Sequence, residues 1–246
     1  MFDSLFLLVI CFLIVSYGCT TLGVGKLASI DGSTYVSHSN DGDEYDNGSL
    51  KSSTDPRLVR VPARDHQPGS KRPIYWAKES YKRYVGYDRE VEAYYPEKGD
   101  NISQPIGYIP EVGHTYSYFE ETYGVLNEHG LMIGESTCSA RYGTLAKDHG
   151  GVALMSIDTL SQIAMERCKT ARDAINLMGS LSEQYGFYGP GSAEGSGESL
   201  FVGDPNEVYV FHILSDPNGT SSIWAAQRIH HFAVVATMYV IRNIYF

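Results

Sequence analysis

Residues 19–41 of the chain read CTTLGVGKLASIDGSTYVSHSND, and this stretch decides the fold. Thr20 to Lys26 has the composition of a strand, and Thr34 to His38 has the composition of a second one. Between them lies Asp31-Gly32-Ser33, whose residue types favour a tight turn. The stretch therefore predicts an antiparallel hairpin that begins directly after Cys19.

A hydrophobic leader precedes this hairpin. Residues 1–18 read MFDSLFLLVICFLIVSYG, and the apolar run from Leu5 to Val15 has the length of a signal-peptide core, too short for a membrane span. Ser16-Tyr17-Gly18 is less apolar and ends in a small residue, as the cleavage site of a signal peptidase requires. We therefore expect residues 1–18 to be a signal peptide cleaved after Gly18, and contact with a membrane only through a leader that is not removed.

Cleavage after Gly18 would give the mature protein an N-terminal cysteine, which carries a nucleophile and a base on one residue. The reference pKa of a thiol is about 8.5 and that of an α-amine is about 7.7–8.0, so the amine can accept the thiol proton near neutral pH. Three alternatives for Cys19 stay open at this point: an uncleaved leader, lipidation (which Ser16 and Tyr17 fit poorly), and a disulfide.

Residues 19–41 closely resemble the start of the Ntn-hydrolase dipeptidases, cysteine peptidase family sixty-nine, whose mature chains begin Cys-Thr-Thr and continue through Asp-Gly-Ser-Thr. Secernins and acid ceramidase-like proteins are more distant relatives. The resemblance continues in patches at Asp55-Pro56-Arg57, at YGVLNEHGL (residues 123–131), at GDPNEV (residues 203–208) and at WAAQR (residues 224–228).

Hydrophobic periodicity predicts the elements downstream. They are hairpin strands at Thr122–Asn127 and Leu131–Ser139, a helix with Ile157, Leu160, Ala164 and Cys168 on one face, a helix capped by Thr170 and Asp173, and strands at Ser199–Val202, Glu207–Leu214, Ser222–Gln227 and Ala233–Val240. Residues 40–57 are predicted to be a long loop, Leu58 to Pro62 a short strand, and residues 63–118 an irregular excursion in a position to cover the site.

Strands, then two helices, then strands again is the order of an α+β fold. The resemblance implies a four-layer αββα Ntn-hydrolase sandwich, with residues 19–246 as a single peptidase domain. Because the chain stops at Phe246 and members of that family are much longer, we expect the sandwich to be incomplete at its C-terminal end.

The resemblance also implies the site residues. Cys19 is the nucleophile and its α-amine is the base. Asp41 matches an aspartate that holds the amine or the surroundings of the nucleophile, although it also fits a turn aspartate. His38 stands where many relatives carry Arg or Lys, so it can donate a hydrogen bond but supplies no fixed positive charge. Asn127 and Thr137 are candidates for the pocket or the oxyanion contacts, and Asn127 equally fits a turn-shaping role.

A histidine-activated thiol is a weaker interpretation, because His114, His129 and His212 have no spacing that pairs them with Cys19. Cys138 and Cys168 could pair in an oxidising compartment. We expect buried, unpaired thiols instead, since one lies in a strand pattern and the other on an apolar helix face. No Cys or His spacing indicates zinc, and the acidic run after Asp41 does not fit a calcium-binding loop. We therefore expect no metal and no cofactor.

Composition excludes one class of partner. The 246 residues carry a formal net charge of −10, and the sequence pI is about 5.2; a nucleic-acid partner would need a basic face. Asn47, Asn101 and Asn218 each begin an N-glycosylation sequon, which matters only in a eukaryotic secretory pathway.

The leader and the resemblance together imply a secreted hydrolase, or one in the lumen of the secretory or lysosomal pathway, that cleaves dipeptides through a thioester on Cys19. Two alternatives remain. The first is a non-catalytic secreted or membrane-tethered glycoprotein that is a remnant of such an enzyme. The second is an acyl-amidase of the same superfamily. The sequence leaves the oligomeric state undetermined.

Overall fold

The computed structural model describes residues 19–39, 43–46, 49–52, 58–76, 102–121, 123–189 and 196–241. The strands in chain order are β1 (Thr20–Val24), β2 (Tyr35–Ser39), β3 (Asp43–Asp46), β4 (Ser49–Ser52), β5 (Val59–Val61), β6 (Arg64–Asp65), β7 (Lys71–Tyr75), β8 (Pro105–Pro110), β9 (His114–Thr115), β10 (Tyr118–Glu120), β11 (Gly124–Asn127), β12 (Met132–Cys138), β13 (Gly197–Gly203), β14 (Val208–Ser215), β15 (Ser222–Ile229) and β16 (Phe232–Ala236). The helices are α1 (Ile157–Arg167) and α2 (Ala171–Tyr185).

Two sheets pack face to face. The larger has seven antiparallel strands in the order β15-β14-β13-β12-β11-β10-β5, and the smaller has three in the order β16-β1-β2. Between them Phe201, Val208, Val210 and Val235 form a small apolar core. The sheets approach closely beside Gly134, where an added Cβ would lie 2.8 Å from the Thr21 hydroxyl oxygen. Any larger residue there would push β1 away from β12.

Both helices cover the opposite face of the larger sheet, α1 over β10 and β11, and α2 over β13 to β15. The main core lies in this second interface, where Leu160, Ile163 and Met178 are fully buried. The described chain therefore has three layers, in the order helices, larger sheet, smaller sheet. The predicted α+β class is confirmed. A second helix layer is not among the described elements, so the four-layer arrangement stays a prediction.

The local predictions from periodicity are confirmed with small shifts of the boundaries. The predicted hairpin after Cys19 forms, with Thr21 opposite His38. The second helix is capped as expected, because the Thr170 hydroxyl accepts a hydrogen bond from the Asp173 N–H at 3.1 Å. The last strand is shorter than predicted: it ends at Ala236, and Thr237 follows with a φ of 45°.

Two predictions of irregular structure are wrong. In the supposed loop at residues 40–57, β3 and β4 pair antiparallel. The supposed excursion at residues 63–118 contains β6 to β9, and β10 ends it and joins the larger sheet. Strand β7 shows one physical reason why these strands were missed. Its Arg72 is buried, because the guanidinium forms an ion pair with Glu166 at 2.6 Å. A buried arginine hides the alternation of polar and apolar residues that identifies a strand.

Candidate active site

Cys19 lies immediately before β1, at the edge of the space between the two sheets. It is 8% exposed and is not in a disulfide. Its carbonyl oxygen accepts a hydrogen bond from the Ser136 hydroxyl at 2.8 Å. Successive side chains of a strand point to opposite faces, so the Cys19 side chain shares the inward face of the smaller sheet with Thr21. The thiol is therefore directed between the sheets.

Ser136 links three segments of the chain. Besides donating to Cys19, its hydroxyl oxygen accepts a hydrogen bond from the Thr237 N–H at 2.9 Å. The register of β1 with β16 pairs Thr20 with Ala236, which brings Thr237 next to Cys19. A threonine with a φ of 45° is strained, and such residues persist only where their surroundings hold them. The Ser136 hydroxyl is one of the contacts that hold this strained residue beside Cys19.

We expect Ser136→Ala to lower both the stability and any activity that depends on Cys19. The change leaves the Cys19 carbonyl and the Thr237 N–H without their buried partner, at a cost of about 1–3 kcal/mol. Loss of this positioning should reduce kcat/KM by roughly tenfold or more. Steady-state kinetics at equal folded concentration measures the effect.

The matched control is Ser182→Ala, which removes a buried serine hydroxyl that bonds Gly179 and Ser222 on the helix side of the larger sheet. It should cost similar stability and leave kcat/KM unchanged. Wild-type kcat/KM in Ser136→Ala would show that the Ser136 contact does not position Cys19.

His38 lies on β2 directly opposite Thr21, two residues along the strand pair from Cys19. Its ring meets the edge of Tyr123 with the ring centroids 6.2 Å apart. Burial lowers the pKa of His38 below its usual value, and the nearby charge of Glu121 partly opposes the effect. The imidazole is therefore neutral at neutral pH and can donate a hydrogen bond, but it contributes no fixed positive charge.

Of the other predicted site residues, Asp41 lies outside the described residues. Asn127 and Thr137 are described, and both are directed away from Cys19. Asn127 donates to the carbonyls of Met165 at 3.0 Å and Cys168 at 2.8 Å, and accepts from the N–H groups of His129 and Leu131. The four hydrogen bonds of its side-chain amide thus join the β11–β12 turn to the end of α1.

Thr137 was expected to line the pocket, and the structure directs it elsewhere. Its hydroxyl donates to Glu135 at 3.1 Å. Because side chains alternate along β12, Thr137 and Glu135 lie on the helix-facing side, whereas Ser136 faces Cys19. Thr137 is therefore one residue out of phase with Ser136 and lies on the opposite face of β12 from the contact with Cys19.

Sequence inspection missed a buried carboxyl pair. Glu135 on β12 and Glu198 on β13 are 2% and 0% exposed, and their carboxyl groups lie close enough to interact. Burial raises the pKa of Glu135, because the ionised form loses hydration there. The Glu135 carboxyl therefore keeps its proton to a higher pH than an exposed glutamate does. A glutamate in the middle of a predicted buried strand was the signal that could have identified it.

We expect Glu135→Gln to flatten the pH dependence of stability. The pKa of Glu135 is raised in the folded state above its ordinary value of 4.5. Its stabilising contribution is therefore complete below that value and is lost as the pH rises through the raised pKa. Each unit by which the pKa differs between the folded and unfolded states changes the free energy of unfolding by about 1.4 kcal/mol. Urea unfolding from about pH 4 to about pH 8 should show wild type weakening more steeply than the variant.

Glu183→Gln is the control for this prediction, since Glu183 is exposed and accepts a hydrogen bond from Trp224 that an amide oxygen preserves. Parallel stability profiles of wild type and Glu135→Gln would contradict a raised pKa at Glu135.

A polar row crosses the inward face of the larger sheet beside Ser136. The Cys138 thiol and the Ser199 hydroxyl are 2.9 Å apart, and Ser199 lies 2.6 Å from His212 Nδ1. His212 Nε2 accepts from the N–H groups of Val240 and Ile241, so the proton sits on Nδ1 and points to Ser199. Burial lowers the pKa of His212 to about 4 and raises that of Cys138 to about 11. This row is neutral and binds the segment after β16.

The predicted state of the two other thiols is confirmed: Cys138 and Cys168 are buried and neither forms a disulfide. Within the described residues no three His, Cys, Asp or Glu side chains lie where they could hold a metal ion. The same part of the chain contains no helix that is long and apolar enough to cross a membrane.

Comparison with known proteins identifies the family. The model of Peptidase family C69 matches residues 18–244, nearly the whole chain, and the chain therefore belongs to that family. A protein of Latilactobacillus sakei described as "Probable dipeptidase" is 26% identical over 239 residues. That alignment covers 93% of this chain and 41% of the relative, so the chain spans about two fifths of the length of the protein it matches. The resemblance inferred from residues 19–41 is confirmed.

Proposed function

We propose that this peptidase is a secreted dipeptidase whose nucleophile is the thiol of an N-terminal Cys19. The observation that carries the proposal is the position of Cys19. It stands at the second residue of the family match, which starts at residue 18, and Ser136 holds its carbonyl at the edge of the space between the sheets. The likeness to a probable dipeptidase supports the choice of substrate.

The proposed mechanism begins with removal of residues 1–18, which would give Cys19 a free α-amine. The amine accepts the thiol proton, and the thiolate attacks the carbonyl carbon of the dipeptide. The tetrahedral intermediate collapses to a thioester as the ammonium returns the proton to the departing amino group. A water molecule, deprotonated by the same amine, then attacks the thioester and releases the second amino acid. The Cys19 thiolate leaves as the C–S bond breaks, and the ammonium returns the proton to it. No metal or cofactor takes part.

His38 and Asp41 complete the proposed site. A neutral His38, two residues along the strand pair from Cys19, is suited to donate a hydrogen bond to the substrate or its oxyanion. Oxyanion donors of this kind contribute on the order of 3 kcal/mol to transition-state stabilisation. Asp41 follows β2 by two residues, and in the proposal its carboxylate holds the α-ammonium form of Cys19. The two facing sheets with helices on one side support an Ntn-hydrolase sandwich, whose second helix layer is part of the proposal.

Secretion and glycosylation belong to the same proposal. The leader supports export, and one sequon lies in a suitable place: Asn218 is exposed in the turn between β14 and β15. An N-linked glycan needs an accessible asparagine in such a surface turn. We propose that Asn218 carries a glycan where the host pathway supplies one.

The test has two measurements on protein recovered from the medium of a secreting host. Intact mass, after removal of glycans, should show a chain that begins at Cys19, and a panel of dipeptides should be hydrolysed, with longer peptides cleaved poorly. A correctly processed protein that cleaves no dipeptide but releases fatty acid from an acyl amide would identify the acyl-amidase instead. A chain that retains residues 1–18, or that is inert towards both substrate classes, would favour the non-catalytic glycoprotein.

A further inference from the structure

Residues 237–241 continue the chain after β16 and contact the inward face of the larger sheet. We call these residues the strap. The strap contains no helix or strand. At its start, the Thr237 N–H donates to the Ser136 hydroxyl, which itself donates to the Cys19 carbonyl. The position of the strap therefore affects the surroundings of Cys19.

Two hydrogen bonds to a single atom hold the far end of the strap. His212 Nε2, on β14, accepts from the Val240 N–H at 2.9 Å and from the Ile241 N–H at 3.2 Å. Only an unprotonated ring nitrogen has the lone pair that such bonds need. A proton on Nε2 would place three N–H groups together with no acceptor between them. The strap in this position therefore requires a neutral His212.

The second ring nitrogen of His212 is engaged as a donor. Because Nε2 is an acceptor, Nδ1 carries the proton of the neutral ring, and it lies 2.6 Å from the Ser199 hydroxyl oxygen. That hydroxyl donates in turn to the Met238 carbonyl oxygen at 3.1 Å. A further proton can enter the ring only at Nε2, which is the atom that binds the strap.

The side chains that surround His212 are apolar or uncharged. On the larger sheet, Ala225 of β15 lies directly opposite it, and β12 contributes the Cys138 thiol at the end of the polar row. The smaller sheet contributes Val235 of β16, which is fully buried between the sheets. The strap contributes Tyr239, whose ring centroid lies 5.3 Å from that of His212.

The titratable groups among these neighbours do not compensate a charge on His212. Burial raises the pKa of Cys138 to about 11 and raises that of Tyr239 above its usual value, so both are neutral in acid. Glu198 follows the strand alternation of β13, so its side chain is on the opposite face from Ser199. Burial therefore dominates, and it lowers the pKa of His212 to about 4.

We propose that the strap is an acid-sensitive switch, which stays bound while His212 is neutral and is released when a proton from the solvent binds His212 Nε2. Release withdraws the Thr237 N–H from the Ser136 hydroxyl, so it loosens the segment that is packed beside Cys19. The switch does not depend on the reaction proposed for Cys19, because it rests on hydrogen bonds that form without a substrate.

The linkage between the proton and the strap sets the size of the effect. After release the hydrated imidazole has its ordinary pKa of 6.5, whereas it has a pKa of about 4 under the bound strap. The ratio of bound to released strap therefore falls by about tenfold for each pH unit between these values. Release also removes the backbone strain of Thr237, whose φ is 45°.

The experiment measures amide hydrogen exchange by NMR on the ¹⁵N-labelled protein from about pH 7 to about pH 4, as protection factors corrected for the intrinsic pH dependence of exchange. We expect the protection of Val240 and Ile241 to fall at least about tenfold between pH 6.5 and pH 4.5. Leu200 and Phe211, on the central strands β13 and β14, should keep their protection. Equal loss at all four amides would indicate global unfolding, and constant protection at the strap would indicate no switch; either result would overturn the proposal.

Three variants assign the effect to His212. His212→Gln supplies an amide oxygen that can accept in place of Nε2 and does not titrate, so the strap should stay protected down to about pH 4. His212→Leu removes the acceptor and should lower the protection of Val240 and Ile241 at least about tenfold already at pH 7. His114→Gln, at an exposed histidine on β9, is the control and should behave as wild type does. Release in acid that persists in His212→Gln would assign the titration to another group and overturn the proposal.

Discussion

Cys19→Ala should abolish the hydrolysis of dipeptides and leave the fold intact. The thiol is the proposed nucleophile, and alanine removes the covalent route altogether, so the rate should fall by at least about a thousandfold. Cys19→Ser should retain a trace at most, because a hydroxyl ionises far less readily than a thiol. Rates of the three proteins at equal folded concentration, measured on the mature form, give the result.

The matched control is Cys168→Ala, at the end of α1. Cys168 is also a buried thiol, but burial raises its pKa to about 12, so it remains protonated and unreactive at neutral pH. Its replacement should lower stability slightly and leave the rate unchanged. A Cys19→Ala protein that hydrolyses dipeptides at close to the wild-type rate would show that another residue performs the chemistry.

The parts of the fold that the sequence predicts are those held by local rules. Thr170 and Asp173 begin α2 as expected, since the cap and its partner are three residues apart in the chain. The turn after Asn127 likewise forms because Gly130 accepts a φ of 76°. These signals act within a few residues, so a single sequence contains them in full.

The strands of residues 63–118 were missed because their burial depends on a distant partner. Arg72 is buried only because Glu166, 94 residues later, supplies a carboxylate within hydrogen-bonding distance. In the sequence alone, an arginine in a short segment indicates an exposed position. The pattern of β7 therefore cannot be interpreted without the pairing that it forms in the fold.

The same difference between local signals and distant contacts decides which residues of the candidate site could be predicted from the sequence. Cys19 was identifiable because its position after the leader and its neighbours Thr20 and Thr21 are contiguous. Ser136 was not identifiable, because it lies 117 residues from Cys19 and the two meet only when β12 packs against the smaller sheet. The face of β12 on which Thr137 lies was not identifiable for the same reason, since the face that meets Cys19 depends on how the two sheets pack.

The base in the proposed mechanism is open to a direct test. We expect a mature enzyme that keeps one extra residue, Gly18, ahead of Cys19 to lose at least about a hundredfold in rate, the usual contribution of a general base. In that form the nitrogen of Cys19 belongs to a peptide bond and cannot accept a proton. The enzyme that begins at Cys19 should also show a rate that rises through about pH 7 to 8, as the α-amine loses its proton.

The thiol itself must be accessible in both forms for the comparison to concern the base alone. Alkylation with iodoacetamide should still modify Cys19 of the extended protein, which would show that the extra residue does not block the site.

If the extended form hydrolyses dipeptides as fast as the form that begins at Cys19, another group activates the thiol. His38 is then the first residue to replace, because it lies two residues along the strand pair from Cys19. Since burial lowers the pKa of His38, a rate that depended on it would already be at its plateau at neutral pH. The pH profile thus separates an amine base from a histidine base without any substitution.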